Sequence, residues 1–506
     1  MNPGLLFSFV IGYFVLLLIV AWYTSRNSNN DSFFIGNRGS NWMLVSFGMI
    51  GTTLSGVTFV SVPGTVGNFV PGSNVYKAFS YFQVVLGYLV GYAVIAYVLI
   101  PLYYKRNLTS IYNYLQQRFG NFSYKTGALF FIISRTIGAT ARLYLVINVL
   151  QIFILDRMGV PFIVTAFIIL LMILLYTFEG GVKTIVYTDT LQTTFMLLGL
   201  VVCVIYILNN MGMGFGEAMK TLGEKNYTRI FDMDINSKTF FLKDFIGGAF
   251  IAIAMTGLDQ EMMQKNISVK TLKGSQKNIM TFSTVIVIVN FLFLLLGGLL
   301  YLFMMNKGYG YDGKQFLVEG KNMIGDDLFP SVALNYLPQA VSIIFIIALI
   351  SALFPSADGA LTALTSSFCI DMLGLKRRDN WDEKKKKRIR MTVHLTLAVI
   401  FLICIMVFKW INEKSIIGII LDLATYTYGP LLGLFSFGIL TKRKLSDGLT
   451  VTAICLIAPF ICYFISKYSA EWFDGYKIGI ELLLINGILT FLGLMLISKK
   501  PGKPLS

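Results

Sequence analysis

The feature that most constrains this chain is a series of apolar blocks, each about twenty residues long or longer, of which residues 5–25 form the first. A helix needs about 20 apolar residues to cross the hydrocarbon of a bilayer. The cores of soluble proteins show shorter, alternating or 3.6-residue patterns instead. Only 13% of the residues are charged, about half of the ~25% usual in soluble domains. The sequence therefore predicts an all-α polytopic membrane protein, and it excludes a soluble enzyme, a disordered scaffold and a secreted disulfide module.

Thirteen blocks are long enough to span a membrane. The first has no basic segment before it and no small-residue cleavage site after it, so we interpret it as a retained helix rather than a signal peptide. The predicted spans are 5–25, 43–70, 78–104, 127–155, 161–178, 185–208, 244–265, 281–305, 336–370, 393–409, 418–440, 448–467 and 478–498.

The net charge of +16 comes from Lys and Arg residues in short loops between the apolar blocks. These residues concentrate in alternate loops, one of which we assign to Lys265, Lys270, Lys273 and Lys277. By the positive-inside rule, the N-terminus is predicted outside and the C-terminus in the cytoplasm, in the inner (plasma) membrane. The basic run 384–390 is interpreted as an anchor near anionic lipid, not as a nucleic-acid contact. The sequence indicates no oligomeric state.

Residues that could perform covalent chemistry are scarce. All five cysteines lie within apolar blocks without a CxxC pair, which indicates neither a disulfide framework nor a zinc site. His394 is the only histidine, and we interpret it as structural. No nucleophile, base and acid set or metal-ligand cluster is found, so no enzyme activity is predicted.

Two of the spans contain residues that interrupt a lipid-facing helix: GTTLSGVTF at 51–59 and TGLDQE at 256–261. Irregular backbone inside a membrane is tolerated only around a cavity. A pair of broken helices in corresponding positions of two halves is typical of an alternating-access transporter. The two breaks lie five spans apart, which predicts a five-plus-five inverted repeat. The alternative is that small residues merely allow close helix packing.

This spacing divides the chain into five segments. The predicted units are a leading helix and cytoplasmic loop at 1–42, the first repeat at 43–208, an extracytoplasmic loop at 209–243, the second repeat at 244–440, and two additional helices with a short tail at 441–506.

Charged residues inside the spans indicate function or pairing, because an unpaired charge in hydrocarbon is costly. Asp189, Asp358 and Asp422 lie within spans, and hydroxyl residues accompany Asp358. Carboxylates, hydroxyls and free carbonyls suit a hard monovalent cation such as Na⁺. Arg135 and Arg142 lie on one face of the fourth span. They could pair with these acids or bind an anionic solute.

Several motifs, in order, resemble the sodium:solute symporter family, which includes sodium–glucose cotransporters and bacterial sialic acid and proline symporters. The resemblance covers roughly residues 5–440 and implies an inverted-repeat symporter fold with sodium as the co-transported ion. It is not specific for a substrate. The motifs are DSFFIGNRGSNW (31–42), GTTLSGVTF, LTSIYNYLQQRFG (108–120), YTFEGGVKTIVYTDTLQ (176–192), TGLDQEMMQKN (256–266), SALFPSADGALTALTSSF (351–368) and TYTYGPLLGLF (425–435).

The resemblance also implies ion sites. The main sodium site would use the carbonyls of Gly51, Leu54 and Ala352 and the hydroxyl of Ser356. The chain departs from the family at Pro355, where many members have a second hydroxyl residue, so one ligand is missing. A second sodium site would use Asp189. Asp358 stands where such members have a serine, so it could complete that site or form a structural ion pair.

Solute contacts are implied in the same way. Carried over by position, they are Thr53, Ser55, Thr58, Gln83, Asp259, Gln260 and Asp422. Gln83 and Asp259 could equally be hydrogen bonders between packed helices. One possible alignment places a substrate-binding arginine of acid-sugar carriers near residue 138, which leaves open whether Arg135 or Arg142 corresponds to it.

We therefore expect a sodium-coupled secondary active symporter that imports a small polar organic solute, with a sugar or acid sugar favoured. An amino acid or another organic anion is the alternative solute. An ion channel or a transporter-like sensor is the alternative class, although the sequence shows no filter-like repeat and no attached signalling domain. The expected partners are the solute, Na⁺ and the bilayer.

Overall fold

The computed structural model describes residues 3–26, 33–34, 36–70, 75–178, 181–309, 317–318, 321–322, 325–378, 380–411 and 416–500. Two of the family-like motifs therefore extend beyond the described part, at residues 31, 32 and 35 and at residues 179 and 180.

The described chain is almost entirely helical. Its helices are α1 (Pro3–Ser25), α2 (Trp42–Thr53), α3 (Gly56–Thr65), α4 (Tyr81–Lys105), α5 (Asn113–Arg118), α6 (Asn121–Leu155), α7 (Phe162–Thr177), α8 (Gly181–Met211), α9 (Phe215–Glu224), α10 (Phe241–Gly257), α11 (Gln260–Ile267), α12 (Leu272–Asn306), α13 (Leu328–Asn335), α14 (Gln339–Met372), α15 (Glu383–Ile411), α16 (Ile416–Thr427), α17 (Gly429–Leu440), α18 (Leu449–Trp472) and α19 (Leu482–Leu496).

Short elements complete the description. Two antiparallel pairs join β1 (Leu317–Val318) to β2 (Lys321–Asn322) and β3 (Lys444–Leu445) to β4 (Ser498–Lys499). Single 3₁₀ turns lie at Gly36–Arg38, Asp156–Met158, Gly325–Asp327 and Leu375–Arg377.

Helix length and hydropathy reproduce the predicted spans. Eight helices are long and apolar enough to cross a membrane, and three bent helix pairs raise this number to eleven among the described residues. The shorter apolar helices α7 and α19 account for the other two predicted spans. The broken helices α2–α3 and α10–α11 are second and seventh in order, as predicted.

A third bend, of 43°, separates α16 from α17, whereas only two broken helices were predicted. Pro430 lies in the first turn of α17, and proline has no backbone N–H to continue the helical hydrogen bonding. The Asn486 amide donates to the carbonyls of Thr425 and Tyr426 at 2.9 and 3.0 Å. The side chain of a neighbouring helix thus completes the hydrogen bonding at this bend.

Glycines allow α4 and α10 to pack closely. A side chain at Gly87 would overlap the Phe245 carbonyl oxygen, and one at Gly248 would overlap the Val84 carbonyl oxygen. Small residues allow this backbone approach in membranes, where association depends on van der Waals packing rather than on a hydrophobic effect. The contact joins the third span to the seventh and so holds α10, the first half of the second broken helix.

We expect Gly87→Leu to lower the free energy of unfolding by about 1–3 kcal/mol, because overpacking forces the helices apart. Thermal unfolding of the detergent-purified protein measures the loss. Gly12→Leu is the matched control, since nothing lies within 4 Å of a side chain at Gly12. Equal melting temperatures for both variants would contradict the close packing.

Candidate functional site

The first broken helix exposes its backbone where α2 ends and α3 begins. The two helices differ in direction by 55°. The Leu54 N–H donates to the Ile50 carbonyl at 2.8 Å. Within the described residues, the carbonyls of Gly51 and Leu54 accept no backbone hydrogen bond. Free carbonyl oxygens are therefore present at the break, as alternating-access carriers require for ion binding.

Helix α14 packs against both halves of this break. The Ala352 carbonyl oxygen lies 3.9 Å from the position that a side chain at Gly56 would take, and the Pro355 ring lies 3.6 Å from the corresponding position at Gly51. Ser356 is buried, and its hydroxyl donates to the Leu353 carbonyl at 3.0 Å. Ala352 and Pro355 thus bring α14 against the break, and Ser356 follows Pro355 in the chain.

A central cavity of about 100 Å³ lies beside the break. Hydroxyl groups and two guanidinium groups supply its polar surface. Its wall is formed by Thr52, Thr53, Ser55, Val57, Thr58, Tyr81, Tyr88, Tyr92, Arg135, Arg142, Ile251, Ala252, Met255, Thr256, Met262, Ile420 and Leu421. Three of the expected solute contacts, Thr53, Ser55 and Thr58, are therefore brought together in one wall.

Gln83 lies outside this cavity and is fully buried. Its amide donates to the Thr239 carbonyl at 3.0 Å and to the Asp244 carboxylate at 3.1 Å. Its side-chain carbonyl accepts from the Asp232 N–H at 2.9 Å. These bonds attach the loop before α10 to α4, which matches the packing alternative.

Asp259 and Gln260 lie at the second break, and neither lines the central cavity. Asp259 caps α11 by accepting from the N–H groups of Glu261 and Met262, and it also accepts from the Tyr428 hydroxyl at 2.9 Å. Gln260 accepts from the Ile111 N–H at 2.9 Å. Both side chains use their hydrogen-bonding groups within the protein.

The carbonyls freed by the second break also have partners. The Tyr103 hydroxyl donates to the Gly257 carbonyl at 2.8 Å, and the Tyr112 hydroxyl donates to the Leu258 carbonyl at 2.9 Å. The second break therefore differs from the first, because its backbone is satisfied by side chains of the chain itself.

A buried ion-pair network adjoins the central cavity, whose wall includes Arg135. Arg135 pairs with Glu261, and its Nε is 3.9 Å from the Asp259 carboxylate. Lys265 pairs with Asp189 at 2.6 Å and lies 3.5 Å from Glu261. All of these side chains are at most 4% exposed. The assignment of Lys265 to a loop is wrong, because α11 continues through it and its ammonium is buried.

Asp358 adjoins this network from α14. Its carboxylate accepts from the Tyr176 hydroxyl at 2.7 Å. The next residue, Gly359, faces Glu261 and Lys265 so closely that any side chain would overlap the Glu261 carboxylate. The chain therefore places two acids expected at one sodium site, Asp189 and Asp358, on either side of a cluster that already contains a lysine.

The two arginines have different surroundings. No ion pair of Arg142 is found among the described residues, and its guanidinium lines the central cavity and a smaller one of about 10 Å³ beside it. Arg135, by contrast, is held by acids of the second broken helix. Arg135 is therefore paired, although with Glu261 and Asp259 rather than with the predicted acids Asp189, Asp358 and Asp422. Binding of an anionic solute by Arg142 stays a prediction.

A second cavity of about 320 Å³ lies on the predicted outer side. Asp422 lines this outer cavity together with Lys77, Lys238 and Asp244, and it does not reach the central cavity. Burial lowers the pKa of the Lys77 ammonium, and the Asp244 carboxylate acts in the opposite direction.

Tyr81 and Leu421 line both the central and the outer cavity. They therefore form the partition between the two cavities. The Tyr81 hydroxyl lies 3.3 Å from the Tyr88 hydroxyl.

The sequence prediction missed the tyrosines and Thr256 of the cavity wall. Tyr81, Tyr88 and Tyr92 are seven and four residues apart on α4, so they share one helix face. That spacing could have indicated a polar aromatic face. Lys265 offered no comparable signal, because its pairing with Asp189 joins residues far apart in sequence.

Comparison with known proteins covers nearly the whole chain. A family model described as the sodium:solute symporter family matches residues 33–455. The chain belongs to this family. It is therefore a multi-pass membrane transporter coupled to sodium, not an enzyme, and the predicted family, ion and mechanism class are confirmed.

Two curated relatives and one solved structure match the symporter over most of its length. It is 24% identical to the sodium/sialic acid symporter NanT of Aliivibrio fischeri, over 95% of this chain and 92% of that protein. It is 24% identical to the sodium/sialic acid symporter SiaT of Proteus mirabilis, over 96% and 94%. A substrate-bound, outward-open structure of a Na⁺-coupled sialic acid symporter superposes with a TM-score of 0.80 at 20% identity, over 98% and 99%. The last comparison supports the predicted inverted-repeat fold.

We expect Arg135→Met and Arg142→Met to differ sharply in stability. Removing Arg135 leaves the Glu261 carboxylate buried with Lys265 alone near it, and breaking a buried pair costs about 3–5 kcal/mol. Removing Arg142 breaks no ion pair, so its variant should unfold near the wild-type temperature. Thermal unfolding in detergent measures both, and equal losses would contradict the different environments of the two residues.

Proposed function

We propose that the symporter imports an acid sugar of the sialic acid class and that Arg142 binds its carboxylate. The observation that carries this proposal is a guanidinium in the wall of the central cavity without an acidic partner among the described residues. A buried cation of this kind is costly unless an anion joins it. Guanidinium groups bind carboxylates with two parallel hydrogen bonds.

The start of α3 adds a second group that favours an anion. Ser55 directly precedes α3, and Val57 and Thr58 lie in its first turn. All three residues line the cavity. The first N–H groups of a helix have no intrahelical partner, and the helix dipole places partial positive charge there. A carboxylate between Arg142 and this helix terminus would therefore be stabilised from both sides.

The remaining wall suits a polyhydroxylated body. Thr58, Thr256 and the tyrosines Tyr81, Tyr88 and Tyr92 offer hydroxyl groups, while Met255 and Ile420 supply apolar surface. NanT and SiaT, which match over most of this chain, are sialic acid symporters. The cavity of about 100 Å³ is smaller than the ~300–1,000 Å³ of ligand sites in general. Solute entry therefore requires Tyr81 and Leu421 to move apart and join the two cavities.

We place the coupled sodium ion at the first break. Its ligands would be the carbonyls of Gly51, Leu54 and Ala352 and the hydroxyl of Ser356. Sodium bound there fixes the direction of α3 and so presents Ser55 and Thr58 to the solute. With the N-terminus outside and the C-terminus in the cytoplasm, the membrane potential adds about 2.3 kcal/mol per 100 mV for each charge carried inward.

Uptake of radiolabelled N-acetylneuraminic acid into proteoliposomes tests the solute and the ion together. We expect accumulation under an inward sodium gradient and none when choline replaces sodium. Competition with unlabelled amino acids, monocarboxylates and neutral sugars separates the alternatives. Uptake that ignores the sodium gradient, or that only an amino acid competes with, would overturn this assignment.

We expect Arg142→Met to raise the KM for N-acetylneuraminic acid about 10- to 150-fold, because a hydrogen bond to a charged group contributes about 1.5–3 kcal/mol. Arg142→Lys keeps the charge but loses the bidentate geometry, so its KM should lie between those of the wild type and Arg142→Met. Uptake kinetics at saturating sodium measure the change. An unchanged KM in a folded Arg142→Met protein would remove Arg142 from the solute site.

Ser356→Ala should raise the sodium concentration for half-maximal uptake about tenfold, which corresponds to about 1.4 kcal/mol. The hydroxyl is the only side-chain ligand expected at the main site, so its loss weakens sodium binding rather than solute binding at saturating sodium. Ser366→Ala is the matched control, since Ser366 is a buried serine of α14 that bonds to the Thr362 carbonyl away from the break. Equal sodium activation in both variants would contradict the placement of the ion.

A further inference from the structure

The Lys265 ammonium lies in a setting that resembles a cation site more than a surface ion pair. Its Nζ is 2.6 Å from the Thr52 hydroxyl oxygen and 2.6 Å from the Asp189 carboxylate. Glu261 lies 3.5 Å away. Lys265 is only 3% exposed. Its charged end is therefore surrounded by oxygen atoms.

Helices on several sides approach the Lys265 ammonium closely. On α14, the ammonium lies 3.2 Å from the position that a side chain at Gly359 would take. On α2 and α8, Thr52 donates to the same Asp189 oxygen at 3.2 Å. Two carboxylates and a hydroxyl are oxygen ligands that suit a small alkali cation, and here a lysine side chain supplies the positive charge.

We propose that the Lys265 ammonium acts as a built-in cation at Asp189, in place of a second sodium ion. The symporter then binds a single sodium ion, at the first break. This inference rests on the proposed sodium coupling and deepens it, because it sets the number of ions. A second cation sharing the Asp189 carboxylate would be repelled by the ammonium across a few ångströms of poorly screened interior.

The Lys265 ammonium also connects three helices. Lys265 belongs to α11, Thr52 to α2 and Asp189 to α8, so the ammonium joins the inner halves of both broken helices to a third helix. A diffusible ion would leave this place during each transport cycle. A lysine stays attached, so the contact between the broken helices reforms without a second ion.

Removing the lysine should create the site that it fills. Lys265→Ala leaves Asp189 without its cation in a buried space beside Thr52, whereas Glu261 keeps its pair with Arg135. Asp358 is close enough to act electrostatically on the same position. A buried carboxylate that loses its partner is expected to take up a cation to offset its charge. Lys265→Arg keeps the charge and should leave the site closed to sodium.

Binding of ²²Na⁺ to the purified full-length protein tests the inference without a solute. We expect one ion per wild-type chain with a Hill coefficient near 1, and one ion per Lys265→Arg chain. Lys265→Ala should bind one ion more than wild type, with a Hill coefficient rising toward 2 where the two sites cooperate. Lys243→Ala is the matched control, since Lys243 is a buried lysine whose ammonium donates to the carbonyls of Ser237 and Lys477.

Two ions per wild-type chain would overturn the inference, because the unpartnered second oxygen of Asp189 would then hold sodium beside the lysine. An unchanged count in folded Lys265→Ala protein would overturn it as well. If that variant does not fold, the number of sodium ions bound per wild-type chain decides whether the inference holds. A failure of N-acetylneuraminic acid uptake would leave these counts unaffected, so an error in the solute and an error in the ion number are separable.

Discussion

The structure depends on one constraint: within a bilayer, every backbone carbonyl, N–H group and charge must find a partner inside the protein. Acidic side chains, Asp189, Asp259, Glu261 and Asp358, lie near the breaks of α2–α3 and α10–α11. The ion pairs of Arg135 with Glu261 and of Lys265 with Asp189 meet the constraint for the charges. These pairs also connect α11 to α6 and α8, so the second broken helix is attached to its neighbours through charge.

The same ion pairs make the two sides of the central cavity different. On the predicted outer side, Tyr81 and Leu421 line both the central cavity and the larger outer one. On the opposite side, a buried network of charges and the Tyr428–Asp259 hydrogen bond close the path. Opening toward the outer cavity would displace Tyr81 and Leu421, whereas opening on the opposite side would separate several buried pairs. Ligands that stabilise the inward-open state must therefore offset a larger cost, and by linkage the solute and the ion raise each other's affinity by the same factor.

Local sequence was sufficient for the features that have local causes. Glycine, threonine and serine at 51–59 predicted the first break, and the hydrophobic blocks predicted the spans, because both follow from neighbouring residues. Gln83 and Asp422 show the limit of positional transfer. Gln83 bonds to the outer loop, and Asp422 lies in the outer cavity, so neither faces the central one. Whether Asp422 contacts a solute on its way inward stays a prediction.

Lys265 shows a second limit. Two polar residues follow it at 266 and 268, and such a pattern is typical of the end of a span. Its burial is decided by Asp189, which lies 76 residues earlier, and no local pattern contains that information. The distinction between Arg135 and Arg142 has the same origin, because it depends on which acids the second repeat brings to the fourth span.

The two halves of this pseudo-symmetric molecule differ at their breaks, because the hydroxyl groups of Tyr103 and Tyr112 donate to carbonyls at the second break. In one half, phenols from the same chain bond to the carbonyls that the interruption frees. In the other, the carbonyls of Gly51 and Leu54 accept no backbone hydrogen bond within the described residues. With sodium bound there, as we propose, the hydrogen bonding of both interruptions would be complete, so the loaded carrier would be more rigid at this place than the empty one.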